Sequence, residues 1–157
     1  MSSPTHRVRP AEPDEAPLLS ELALRSKAHW GYSSEFLAAC RDELAVSASD
    51  LAANPTFVLE EGERVVGFYS LEEISSATVE LGHLFVEPDS IGSGHGRALV
   101  EHARSEAQRR GYRTLVIQGD PNAEGFYVAI GARRVGTRES ASIPGRQLPL
   151  LEVSLGS

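Results

Sequence analysis

Apolar residues recur along this chain with two periods, one near 3.6 and one near 2, and the switches between them mark out helices and strands. His6-Arg-Val-Arg reads as a short first strand. Pro10-Ala-Glu-Pro-Asp-Glu-Ala-Pro then opens a helix, with prolines and acids where a helix N-terminus accepts them. Leu18, Leu19, Leu22 and Ala23 give that helix one apolar face, and Gly31 breaks it. Ser33 or Ser34 caps a second helix, in which Phe36, Leu37, Cys40 and Leu44 recur at helical spacing.

From Asp50 a polar, proline-containing passage leads into the strand Thr56-Phe-Val-Leu-Glu. Glu61-Gly-Glu turns it into Arg64-Val-Val-Gly-Phe-Tyr-Ser-Leu-Glu, and Ser75-Ser-Ala turns that into Thr78-Val-Glu-Leu-Gly-His-Leu-Phe-Val. Such short connections make an antiparallel meander. A helix from about Gly96 to Arg110 follows, with Leu99, Val100, Ala103 and Ala107 on one face and Gly111 as its C-terminal cap. It leads to Tyr112-Arg-Thr-Leu-Val-Ile-Gln, and a strand–helix–strand unit of this length is parallel and right-handed. A last helix runs from Pro121 to Gly131, and strands from Ala132 and from Leu148 bracket the Ile143-Pro-Gly-Arg loop. The order β-α-α-β-β-β-α-β-α-β-β predicts an α+β fold on a mixed sheet, in one domain over residues 1–157.

Composition narrows the function without naming it. A net charge of −7 and a pI of about 5.2 argue against nucleic acid, whose phosphates need clustered Lys and Arg. No apolar run approaches the roughly 20 residues of a membrane span, and the N-terminus lacks a signal-peptide core, so no membrane partner and a cytoplasmic location are expected. The single cysteine, Cys40, forbids an internal disulfide and reads as a small buried apolar residue. His6, His29, His83, His95 and His102 show no paired metal-ligand spacing, so no metal is expected.

The chemistry concentrates between Leu84 and Val100, where a strand meets a glycine-rich turn and then a helix. Gly92, Gly94 and Gly96, at alternate positions, let backbone N–H groups crowd around an anion. The run is G-x-G-x-G, neither the dinucleotide fingerprint nor the nucleoside-triphosphate loop. It resembles the pyrophosphate loop of the GCN5-related N-acetyltransferases (GNAT), Gln/Arg-x-x-Gly-x-Gly/Ala, with Gly94 and Gly96 in place and Ile91 where that family usually has Gln or Arg. The element order matches that fold, in which the cofactor lies in the splay between the fourth and fifth strands. Asn122-Ala-x-x-Phe126-Tyr127-x-x-x-Gly131-Ala132 resembles the family's second signature.

The resemblance implies acetyl-CoA as co-substrate. Its pyrophosphate would lie on Ile91, Gly92, Ser93, Gly94, His95, Gly96 and Arg97, and its pantetheine against Leu84, Phe85 and Val86, with Asn122 and Phe126 beside it. Tyr127 would protonate the departing thiolate, since a phenol with a pKa of about 10 holds its proton at neutral pH. An amine attacks a thioester only as its free base, so a base is needed. Glu80 is the candidate: six residues before Val86, it shares that side of a regular strand, whereas His83 reaches it only past a bulge. His29, Trp30 and Tyr32, between the first two helices, are candidates for the acceptor pocket together with His83. The expected function is acetyl transfer to a primary amine, small molecule or peptide, by direct attack; a non-catalytic acyl-CoA sensor on the same fold is the alternative. The acceptor and the oligomeric state stay open, dimers being common in the family.

Overall fold

The computed structural model describes residues 6–29, 31–90, 94–119, 121–140 and 143–156. Its strands are β1 (His6–Pro10), β2 (Thr56–Glu61), β3 (Arg64–Glu73), β4 (Thr78–Val86), β5 (Thr114–Gln118), β6 (Arg133–Glu139) and β7 (Gln147–Ser154). Its helices are α1 (Ala16–Ala28), α2 (Ser34–Leu44), α3 (Ala48–Ala53), α4 (His95–Arg109) and α5 (Glu124–Ala129). The strands form one mixed sheet in the order β1-β2-β3-β4-β5-β7-β6, in which only β4 and β5 run parallel. No described helix is long and apolar enough to cross a membrane.

The expected elements are present with two differences. The passage after Asp50 is not irregular throughout, because Ser47 and Asp50 form a reciprocal capping box that starts α3. The last helix is shorter than expected, since Pro121–Ala123 forms a separate 3-10 turn before α5. In the sheet, β7 inserts between β5 and β6.

Alternation along β3 explains how the sheet holds two cores. Phe68 and Tyr69 are adjacent, both fully buried, and point to opposite faces. On one face Tyr69, Leu71, Val79 and Leu81 pack against Leu99, Val100, Ala103 and Ala107 of α4. On the other Phe68 and Val58 pack against Leu19, Leu22 and Ala23 of α1 and Cys40 and Leu44 of α2. The apolar stripes read from the sequence are therefore the buried faces of these helices, except that Leu18 of α1 faces outward and is exposed.

Two departures from regular pairing in β4 set up everything that follows. The β3–β4 register steps from Ser70↔His83 to Leu71↔Leu81, so Gly82 is an extra residue, a bulge. Further along, β4 pairs with β3 as far as Val86 but with β5 only from Thr78 to Leu81. Beyond Leu81 the two parallel strands separate.

Candidate functional site

The separation of β4 and β5 opens a cleft of about 750 Å³ that passes through the sheet. One end lies at Gly94, Gly96 and Arg97, where α4 begins. Gly94 caps α4 in the left-handed conformation, at φ 88°, and offers no side chain to the first-turn N–H groups. That first turn of the 15-residue helix carries no acidic residue, and Arg97 adds to the positive end of the helix dipole. At Gly96 a Cβ would lie 3.2 Å from Cζ of Phe126, closer than an ordinary contact, so a side chain there would have to displace that ring. The end of the cleft at α4 thus presents backbone N–H groups and one guanidinium.

Between its ends the cleft runs along Leu84, Phe85 and Val86, on the edge of β4 that no described strand takes up, and past Gln118, Gly119 and Tyr127. An unpaired strand edge offers main-chain donors and acceptors to an extended ligand. Tyr127 is buried on α5, and its ring lies against Gly119, where a Cβ would come within 3.3 Å of it. Asn122 belongs to the turn Pro121–Ala123 that precedes α5.

Carboxylates line the other end. Glu72 and Glu80 stand directly opposite each other on β3 and β4, and Asp42 and Asp50 approach from the helical side. The two central acids differ in their surroundings. Glu80 accepts hydrogen bonds of 3.2 and 3.0 Å from Arg138 Nη1, a guanidinium that also reaches Gln118 Oε1 at 3.0 Å. Glu72 has no hydrogen bond or ion pair among the described residues. Desolvation, followed by the Glu80 and Asp50 charges, pushes its pKa above the ordinary carboxylate value. Its Oε2 occupies the space over the bulge, where a Cβ on residue 82 would sit 1.8 Å from it. Beside it the buried hydroxyl of Ser70 has no hydrogen-bond partner among the described residues.

The bulge revises the sequence-based argument for Glu80. With Gly82 inserted, Leu84 and Val86 join Leu81 and Val79 on the α4 face, while Phe85 packs with Phe68 in the opposite cluster and His83 lies against both rings. Glu80 consequently shares a side with His83, not with Val86. His83 lines the cleft; His29 and Tyr32 do not. Tyr32 instead stacks on Phe36 at 4.1 Å and accepts a hydrogen bond from Arg146 Nη2. The His95 side chain is also absent from the cleft wall, being buried against His6 and Glu61. Trp30, Ile91, Gly92 and Ser93 lie outside the described residues, as does the side chain of Asn122.

A helix that starts at a glycine turn, a splayed parallel strand pair and a bulged fourth strand define one architecture, and comparison with known proteins gives it a family. The family model of the acetyltransferase (GNAT) domain matches residues 52–131. This chain belongs to the GNAT acetyltransferase family. The matched segment carries the bulge, the splay, the glycine turn and Tyr127.

Among curated relatives of this GNAT chain, the peptidyl-lysine N-acetyltransferase YjaB of Salmonella typhimurium is 34% identical over 117 residues, 73% of this chain and 75% of its own. YjaB of Escherichia coli is 34% identical over 96 residues, 61% of this chain; the match spans 60% of that relative's length. Among solved structures, the PaiA N-acetyltransferase of Thermoplasma acidophilum, in complex with coenzyme A, superposes with a TM-score of 0.78 at 18% identity, covering 96% of this chain and 99% of that one. That likeness bears on the fold.

Glu72 escaped the sequence reading because nothing local distinguishes it from the adjacent Glu73 on the same strand. Only the register that sets it opposite Glu80, and the missing side chain at residue 82, give it its place. Gly82, a lone glycine inside an otherwise regular strand, was the available signal.

Proposed function

We propose that residues 1–157 form one N-acetyltransferase domain that moves the acetyl group of acetyl-CoA to a cationic primary amine, a lysine side chain foremost. The observation that carries this reading is the continuity of the cleft, which joins the start of α4 to the carboxylates around Glu72 through the β4–β5 splay. The first-turn N–H groups of α4 and Arg97 would hold the pyrophosphate, and the free edge of β4 at Leu84, Phe85 and Val86 would pair with the pantetheine. The thioester would then lie between Tyr127 and the bulge.

Acids at the far end suit a substrate that arrives as an ammonium ion, and the named activity of the YjaB relatives supports lysine within that class. Glu72 would remove the proton that the amine must lose, since its environment raises its basicity, whereas both Glu80 oxygens are taken up by Arg138 Nη1. The free amine attacks the thioester carbon; the zwitterionic tetrahedral adduct collapses with release of the thiolate, which takes a proton from Tyr127, and the second N–H proton of the adduct passes to the resulting tyrosinate, directly or through water. Ser70, next to Glu72 and without a hydrogen-bond partner among the described residues, would bind the incoming nitrogen.

Acetyl-CoA-dependent release of free thiol with a panel of amines tests the proposal. A lysine-containing peptide and a polyamine should turn over far faster than a primary amine carrying a carboxylate. Preference for the anionic amine would refute the acidic acceptor site. Coenzyme A that raises the melting temperature, with no turnover on any amine, would indicate the sensor instead.

A further inference from the structure

Three side chains distant in sequence converge at the edge of the sheet, apart from the cleft. His6 on β1 and Glu61 on β2 are cross-strand partners, and His95 is the first residue of α4. His6 Nε2 lies 2.7 Å from Glu61 Oε2, His95 Nε2 lies 3.2 Å from the same oxygen, and the two imidazole nitrogens are 3.2 Å apart. His95 is 5% exposed, whereas the His6 side chain is about half exposed.

Hydrogen bonding alone leaves this triangle imperfect. If both imidazoles donate Nε2–H to the one carboxylate oxygen, two like-polarised N–H groups abut; if one presents a lone pair, it faces the carboxylate oxygen. A cation at the centre turns all three contacts into attractions. The dimensions suit one: ligand atoms about 2.0–2.1 Å from a tetrahedral Zn²⁺ stand roughly 3.3 Å apart. Two separations already match, and the third needs to widen by about half an ångström, at the exposed histidine.

We propose that His6 Nε2, Glu61 Oε2 and His95 Nε2 bind one Zn²⁺ ion, which clips the start of α4 to the β1–β2 edge. Two imidazoles and one carboxylate select a borderline transition ion over Mg²⁺ or Ca²⁺, which prefer oxygen shells. On binding, each imidazole keeps its single proton on Nδ1 and presents the Nε2 lone pair; a water on the solvent side completes the tetrahedron. Because Gly94 and Gly96 flank His95, the ion fixes the backbone at that end of the cleft.

Calorimetric titration of the tag-free, chelator-treated full chain with zinc chloride tests the site. One ion per chain is expected to bind saturably, with affinity falling at least tenfold in both His6→Ala and Glu61→Gln and unchanged in His29→Asn. Magnesium chloride should give no saturable binding. Cobalt(II) should produce visible absorption bands of a four-coordinate site, abolished by one equivalent of zinc. Since His6 and Glu61 are at a partly exposed edge, both variants should retain the wild-type circular dichroism spectrum. Failure of the wild-type chain to bind zinc one to one, or undiminished binding in both variants, would overturn the proposal whatever the protein's acetyltransferase activity.

Discussion

Replacing Gly82 with alanine separates the chemistry of the bulge from its folding. Gly82 is not among the glycines at positive φ, so its backbone accepts alanine, and the loss of chain freedom in the unfolded state favours the variant by about 0.4–1 kcal/mol. The added Cβ would stand 1.8 Å from Glu72 Oε2, 2.8 Å from Glu72 Cδ and 2.8 Å from Ser70 Oγ. All three atoms belong to side chains that can rotate. Glu72 swings outward, away from the Glu80 and Asp50 charges, and a displaced Ser70 rotamer costs about 0.5–1.5 kcal/mol. Stability should therefore change by no more than about 1 kcal/mol, a shift of roughly 4 °C or less in melting temperature. Activity should not survive so well. With its general base expelled from the bulge, the enzyme should lose about 10²–10⁴ in turnover, measured as thiol release from acetyl-CoA with a lysine peptide. Full turnover at an unchanged melting temperature would refute the assignment of Glu72. A loss of more than about 3 kcal/mol would show that the side chains over the bulge cannot give way.

The remaining predictions follow from the same cleft. Glu72→Gln should flatten the acidic limb of the kcat/KM profile: the wild-type rate falls as pH drops through the raised pKa of Glu72, because protonation removes the base. The sign for stability is opposite. A carboxyl whose folded pKa exceeds its unfolded one destabilises progressively as pH rises through that interval, so at neutral pH a melting curve of Glu72→Gln should lie at or above the wild type's. Tyr127→Phe should lower kcat while leaving the calorimetric affinity for acetyl-CoA close to wild type; an unaltered kcat would remove the phenol as proton donor. Gly94→Val forces a β-branched residue to φ 88°, at a cost of at least about 1–2 kcal/mol, and should weaken coenzyme A binding tenfold or more. Unchanged affinity there would dissociate the turn from the phosphate site.

What the amino-acid sequence determined by itself was local or periodic, although the equally local capping box of α3 went unread. The stripe of Leu99, Val100, Ala103 and Ala107 follows from helical period and burial, and the parallel β4–β5 pair follows from a connection that admits one hand. The glycine turn that opens α4 was legible in the sequence, and at Gly94 the left-handed conformation, φ 88°, is a local demand for glycine. Tertiary structure alone decided which side chains share a side of the sheet and which distant groups meet. One inserted residue, Gly82, reversed the alternation of β4, separating Glu80 from Val86 and setting Glu72 over the bulge. Pairing of β1 with β2, and docking of α4 at that edge, gathered His6, Glu61 and His95 from positions whose spacing carries no metal signature. The physical reason is one of range. Periodicity and backbone preference act within a few residues, whereas register and helix docking are fixed by the whole buried surface, so no short window of sequence contains them.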